Sequence, residues 1–436
     1  MDRATFPNLL STLRAMHVVL FTNAFPNSAE PQRGAFTVQI AHALDGMVDL
    51  DIVAPLPLVP EWMAPRHPIA GVPAVEQIEG LLVHHPRYLV IPKIAGATHA
   101  ATLAMAALAV IRDIHRRRPI DIVNSHWIYP DGVAAVWIGR RLGVPVCLTA
   151  LGCDINAYPK MRLRKPQIVW ALRHAHGLSA VSRNLHDGML ALLQERSHRC
   201  GAKNNKRSLD IRVIPNGVDH HRFFPLPTIE ARRRIGLDVK GPVVLTVGSQ
   251  DEVKGTRYLI EAIAMLTEIP EVRLVLVGEG PLRGRLERLG MELGIFDRLY
   301  FAGKRDHAEI PLWMNAADVF CLPSLREGHP NVVMEALACG IPVVASDVGA
   351  VSELLRPQTG IVVRPADSHA LSQALRSALQ RSWNRDDIRN SVRSSSWETC
   401  ARSYFNWYQE MMESQQVHHM DGFEKRPQAR SANPEE

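Results

Sequence analysis

The stretch of this 436-residue chain best suited to chemistry is Ser324–Gly340, where Glu327 and Glu335 stand eight residues apart around a turn. The apolar run Val319–Leu322 precedes it, Gly328 and Pro330 break the chain, and a helical pattern opens at Asn331 and closes before Gly340. A strand, a tight turn and a helix start in succession offer unpaired backbone N–H groups and the positive end of a helix dipole. That is an anion site. Carboxylates beside a bound phosphate suit sugar hydroxyls, as does the acid that holds ribose in dinucleotide-binding folds. For Glu335 alone, the bland alternative is a favourable charge near a helix N-terminus. No Ser/His/Asp or Cys/His constellation is evident, so acyl and thiol chemistry has no support.

The elements that must position these residues alternate short apolar runs with helical patterns, which predicts parallel βαβ units. In the first half, His17–Thr22, Leu50–Ala54, Ile120–Asn124, Val144–Ala150 and Gly177–Val181 read as strands, with helices at Gly34–Leu44 and Ala100–Arg117. The second series has strands at Val243–Val247, Arg273–Val277, Leu299–Ala302, Val319–Leu322, Pro342–Ala345 and Gly360–Val363. Its helices are Arg257–Leu266, Pro281–Leu293, His307–Ala316 and Asn331–Ala338. Two such series predict two doubly wound α/β domains, residues 1–214 and 215–395, meeting at the turn-forming Ile214-Pro215-Asn216-Gly217. Ala54–Pro73, proline-rich with Trp62 and Met63, reads as an exposed loop. Aromatic and apolar residues at helical spacing predict an amphipathic helix over 396–415 that returns to the first domain, followed by a polar, disordered tail over 416–436.

Composition narrows the class. A hydrophobic fraction of 46% with 22% charged residues is that of a soluble globular protein, and no apolar run is long enough to span a bilayer. The first residues, with Asp2 and Arg3, make a poor signal peptide, and six scattered cysteines without CxxC pairs fit a reducing compartment. A cytoplasmic protein is expected. Residues 1–222 carry 25 Lys+Arg against 16 Asp+Glu, whereas the remainder carries 25 against 28. The basic half suits an anionic surface (membrane lipid, lipid-linked phosphate or nucleic acid), or is simply a solvated face.

The E-x7-E spacing, followed by Ala336-Leu337-Ala338-Cys339-Gly340-Ile341-Pro342, resembles the retaining GT-B glycosyltransferases of family 4. The likeness continues in order through Ile214–Asp219, Val247-Gly248 with Lys254-Gly255, Val277–Gly280, Phe301–Gly303, Ala316–Val319 and Thr359-Gly360. It is looser at Phe25-Pro26, Gly34–Phe36 and His126–Gly132, where it resembles the exopolysaccharide branch. The resemblance implies a GT-B fold of two Rossmann-like domains facing a cleft, with the donor nucleotide held by the C-terminal one. It implies that Glu335 binds the nucleotide ribose, Glu327 lies beside the donor sugar and Lys254 meets the pyrophosphate. It further implies that Gly248 and Ser249 border the donor, that Gly328, Asn331 and Val332 offer backbone to phosphate or sugar, and that Arg305 borders the base. From the N-terminal domain, Gly34 allows close approach to the phosphate and His126 faces the reacting sugar. A strand-end His before Trp127 that merely caps a turn is the alternative for His126. Two positions depart from the family pattern: Ser249 stands where Arg is common, and Leu151 where a polar or basic residue is usual.

The activity implied is hexosyl transfer from a UDP- or GDP-linked sugar to a glycan or lipid-linked acceptor, with retention, no cofactor and no essential metal. Asp49-Leu50-Asp51 spells a DxD pattern, read here as a solvated strand edge. The basic clusters Arg112–Arg118 and Lys160–Arg173, the latter with Met161, Leu163 and Trp170, suit peripheral contact with an anionic membrane. An ordinary packed helix with basic edges is the alternative. No nucleic-acid partner is implied. The rivals are a sugar-nucleotide epimerase of similar shape and a non-enzymatic sugar-binding protein.

Overall fold

The structure is a computed structural model that describes residues 15–60, 67–91, 95–195 and 210–424. Its first lobe is built on β1 (His17–Phe21), β2 (Asp49–Val53), β3 (Leu56–Pro57), β4 (Val75–Ile78), β5 (Leu81–His84), β6 (Arg87–Tyr88), β7 (Ile122–His126), β8 (Val146–Ala150), β9 (Gly177–Ala180) and β10 (Ile211–Val213). Eight of these form one sheet in the order β10-β9-β8-β7-β1-β2-β5-β4, and β3 pairs with β6. The second lobe has β11 (Val243–Val247), β12 (Arg273–Val277), β13 (Leu299–Gly303), β14 (Val319–Leu322), β15 (Val343–Ser346) and β16 (Gly360–Val363), ordered β13-β12-β11-β14-β15-β16.

Every pairing in the second sheet is parallel, and only β4 against β5 is antiparallel in the first. Helices therefore cover both faces, which is why β1, β7, β8, β14 and β15 are buried end to end, their polar side chains included. The two doubly wound domains are as expected. The β4–β5 hairpin, which turns at Glu79 (φ 50°) and Gly80 (φ 87°), went unread. Leu56, inside the stretch expected as exposed loop, is fully buried in β3, while Trp62 and Met63 lie outside the described residues.

The chain crosses between lobes twice, and the crossings touch. Val218 bridges Ser396, and a Cβ on Gly217 would sit 2.3 Å from the Trp397 nitrogen. From there the Trp397–Glu424 helix runs back over the first lobe, past residue 415; 425–436 lie outside the described residues. Its Tyr404, Trp407, Tyr408 and Met411 pack on Val18, Ile122 and Cys147 of the sheet.

Two segments singled out in the sequence take a definite place in the fold. In the Lys165–His174 helix, Ile168, Val169, Ala171 and Leu172 are core residues, so that helix packs by one face, while Met161 and Leu163 just before it are exposed. Both acids of the DxD pattern are engaged on β2: Asp49 pairs with Arg118, and Asp51 with His17 at 2.8 Å.

Candidate active site

The carboxyl ends of the two sheets face one another across a groove, the usual place for a ligand in doubly wound folds. After β11 the chain makes a single 3-10 turn, Glu252–Lys254. Asp251 caps it by accepting from the Val253 and Lys254 amides at 2.9 and 3.2 Å. After β14, the Leu325 amide donates to the Val253 carbonyl at 2.7 Å and ties the Glu327 loop to that turn. Gly255 permits this contact. Its φ is 62°, and a Cβ there would lie 2.2 Å from the Pro323 carbonyl oxygen.

Lys254 Nζ consequently reaches Glu327 Oε1 at 2.8 Å, and Ser324 Oγ donates to the same oxygen at 2.7 Å. Two residues 73 apart in sequence thus form one ion pair at the mouth of the Asn331–Ala338 helix. The first amides of that helix have no intrahelical acceptor by construction. Glu335 follows one turn in, and its Oε1 accepts from His307 Nε2 at 3.2 Å. Gly34, Phe36, Asp219, His307, Asn331 and Glu335 line a cavity of about 260 Å³ between the lobes.

The remaining expected residues divide. Gly248, at φ 154°, runs beside the Lys254 side chain, where a Cβ would stand 3.6 Å from Cε. The Arg305 guanidinium lies over Trp313 at 5.3 Å, and its carbonyl accepts from Gln32 of the other lobe at 3.3 Å. Asn331 Oδ1 accepts from Asn216 Nδ2 at 3.0 Å, and Val332 is half-buried beside it. Gly34, at φ 59°, starts the Ala35–Asp45 helix, where a Cβ would collide with the Ala24 carbonyl. Ser249 lies beside Gly248 and Lys254, and its hydroxyl donates to Asp251 Oδ2 at 2.6 Å, which supports the cap of the Lys254 turn.

His126 is the clear departure. Its ring is buried in β7 under Tyr404 of the terminal helix, 5.6 Å between centroids, with the Asn124 amide 3.4 Å from Nε2. Burial alone pushes this imidazole down to about 4, so it stays neutral at neutral pH. The alternation along β7 puts it on the same face as Ile122 and Asn124, the face that the terminal helix covers. What meets the C-terminal lobe instead is the loop after β8. Asp154, fully buried, accepts from the amides of Ile128, Leu151 and Gly152 and folds that loop tightly. The loop passes so close that a Cβ on Gly328 would stand 1.9 Å from the Leu151 carbonyl oxygen.

Sequence reading missed the side chains that join the lobes. Asn156 Nδ2 donates to the Glu327 carbonyl at 3.1 Å. Glu353 accepts from the Arg183 and Asn184 amides at 3.0 and 3.1 Å, capping the Arg183–Gln194 helix from across the groove. Neither has a local signature, because each partner comes from the other half of the chain.

Comparison with known proteins agrees with this architecture. Residues 228–395 match the family described as glycosyl transferases group 1, and residues 11–200 match the glycosyl transferase 4-like domain. TuaC of Bacillus subtilis, a glycosyltransferase named for teichuronic acid biosynthesis, is 29% identical over 83% of this chain and 88% of its own. LpsB of Rhizobium meliloti, a lipopolysaccharide core mannosyltransferase, is 32% identical over 58% of this chain and 72% of its own. Among solved structures, a sucrose-phosphate synthase from Thermosynechococcus elongatus has a TM-score of 0.70 at 22% identity, covering 92% of this chain and all of that one. HepE of Anabaena, solved with UDP-glucose, has a TM-score of 0.60 at 19% identity, covering 93% of this chain and all of its own. The fold is that of the two-lobed GT-B proteins.

Proposed function

The chain belongs to the glycosyl transferases group 1 family and is a glycosyltransferase, and from that membership we propose the reaction it performs. It moves a hexosyl group from a nucleoside diphosphate sugar to a hydroxyl of a glycan or lipid-linked acceptor, with retention and without an essential metal. The observation that carries this reading is the Lys254–Glu327 pair at the Asn331 helix start, with Glu335 on the same helix. A cation and open amides together stabilise a departing diphosphate, each contact contributing roughly 2–4 kcal/mol.

In the proposed step the bond from the anomeric carbon to the diphosphate oxygen breaks as the acceptor hydroxyl attacks the same face. The leaving phosphate takes the acceptor's proton, and the diphosphate keeps the bonding electron pair. Lys254 neutralises the charge that grows on the diphosphate, and Glu327 orients the sugar. The step is written without His126, whose buried, neutral ring packs under Tyr404. The close passage of Gly328 over Leu151 supports exclusion of water during transfer. An anionic membrane surface is the proposed setting for a lipid-linked acceptor. Among the described residues no helix is long and apolar enough to cross a membrane.

Incubation with labelled UDP- and GDP-sugars and a lipid extract tests the reading. Acceptor-dependent release of nucleoside diphosphate supports it, an isomerised donor points to an epimerase, and binding without turnover points to a sugar-binding protein. Retained anomeric configuration by NMR, and turnover unchanged by EDTA, test the finer statements.

A further inference from the structure

Glu335 is held by more than its own helix. His307, at the start of the segment leading into the Ile310–Ala316 helix, places Nε2 3.2 Å from Glu335 Oε1. Its other ring nitrogen, Nδ1, lies 2.7 Å from the Arg222 guanidinium. A guanidinium can only donate, so Nδ1 must accept, and the ring hydrogen is then on Nε2. That hydrogen points at Glu335 Oε1. Arg222 therefore fixes the tautomer of His307, and His307 fixes the carboxylate. Phe223 packs beside the ring at 5.6 Å, and Asp219, 3.8 Å from the Arg222 Nε, holds the guanidinium from behind.

Among the described residues Glu335 has no second side-chain hydrogen-bond partner, and it lines the cavity that Gly34, His307 and Asn331 share. We infer that Arg222 and His307 form a positioning relay that presents one oxygen of Glu335 to the nucleotide ribose, making the pair determinants of ribose over deoxyribose recognition. This rests on the proposed role of Glu335. It also gives the 216–222 turn a purpose: the crossing between the lobes delivers Arg222 to the site.

The test uses the full chain and isothermal titration with UDP, GDP and their 2′,3′-dideoxy forms. The readout is the affinity ratio between ribo and dideoxy nucleotide for whichever base binds. The native protein should prefer the ribonucleotide by at least tenfold. Glu335→Ala should bring the ratio to about one. His307→Ala should lower it about tenfold, the scale of one hydrogen bond to a charged group, chiefly through weaker ribonucleotide binding. His307→Gln, whose amide can donate from near the Nε2 position, should restore most of it. Arg222→Met, which frees the tautomer without touching Glu335, should give an intermediate ratio and serves if His307→Ala fails to fold. A native ratio in both His307→Ala and Arg222→Met, with the Glu335→Ala ratio near one, overturns the relay alone. A native ratio in Glu335→Ala overturns the ribose reading and the relay with it.

Discussion

At the scale of single residues, the site is a set of charges that satisfy one another until a donor arrives. Lys254 is the group whose loss should cost most. Among the described residues, Lys254→Ala leaves the Glu327 carboxylate with Ser324 alone as partner, and it removes the cation from the diphosphate. Turnover should fall about 10²–10³-fold, while nucleotide affinity changes less; initial rates and titration with UDP or GDP separate the two. Retained turnover would remove Lys254 from the chemistry. Glu327 and Glu335 were legible because a strand, a glycine-broken turn and a helix start leave a local pattern. His307 was not: one histidine in Lys304–Glu309 carries no signal until the fold sets it against Arg222 and Glu335. The cover over His126 was equally illegible, since a strand end fixes the position of a side chain but leaves open which face is covered.

At the scale of elements, the terminal helix explains His126 and makes a pH prediction. A Cβ on Gly177 would meet Met411 Sδ at 2.4 Å and the Trp407 ring at 2.7 Å, so helix and sheet are in direct contact. Trp407→Ala should lower stability by about 3–5 kcal/mol, read as a urea midpoint. Beneath the helix, His126 is held at about 4, below its ordinary value. The unfolded chain therefore binds the proton first as pH falls, and stability contributed by the neutral ring is lost between about 6.5 and 4. His126→Gln should flatten the fall of the unfolding midpoint across that window, and an unchanged slope would mean that the ring is not desolvated. The helix itself was readable from its aromatic spacing. The β4–β5 hairpin was not, because only the Glu79-Gly80 pair marks its turn.

At the scale of the whole molecule, the lobes touch through backbone that only glycine allows. Gly328→Ala would place a methyl against Leu151 of the other lobe, while neither lobe alone loses a contact. Turnover should fall at least tenfold, as it does when reacting groups are misplaced by about 1 Å, with the unfolding midpoint unchanged; a lowered midpoint would make the clash an intralobe one. At the outer edge of the first lobe, the basic segment already noted in the sequence, Lys160–Arg173, meets a second apolar segment that the sequence did not connect with it. Leu58, Leu89, Val90, Ile91, Met161 and Leu163 are each 39–58% exposed. Leu58 joins Tyr88 by a backbone bond, and Gly96 approaches Arg164, which brings the two segments to one edge. Lys160 and Arg162, both exposed, stand beside them with no carboxylate partner among the described residues. An exposed apolar edge with unpaired cations matches the interface of an anionic bilayer, where each cation contributes about 1 kcal/mol. The full chain should therefore co-sediment with vesicles containing phosphatidylglycerol at least tenfold better than with phosphatidylcholine alone, and less so as salt rises. Leu163→Glu with Leu89→Glu should abolish that binding and leave turnover on a soluble acceptor intact, since neither side chain lines the groove. Equal sedimentation with both vesicles, or none, would leave the cations without a membrane role, and the acceptor would then reach the groove from solution.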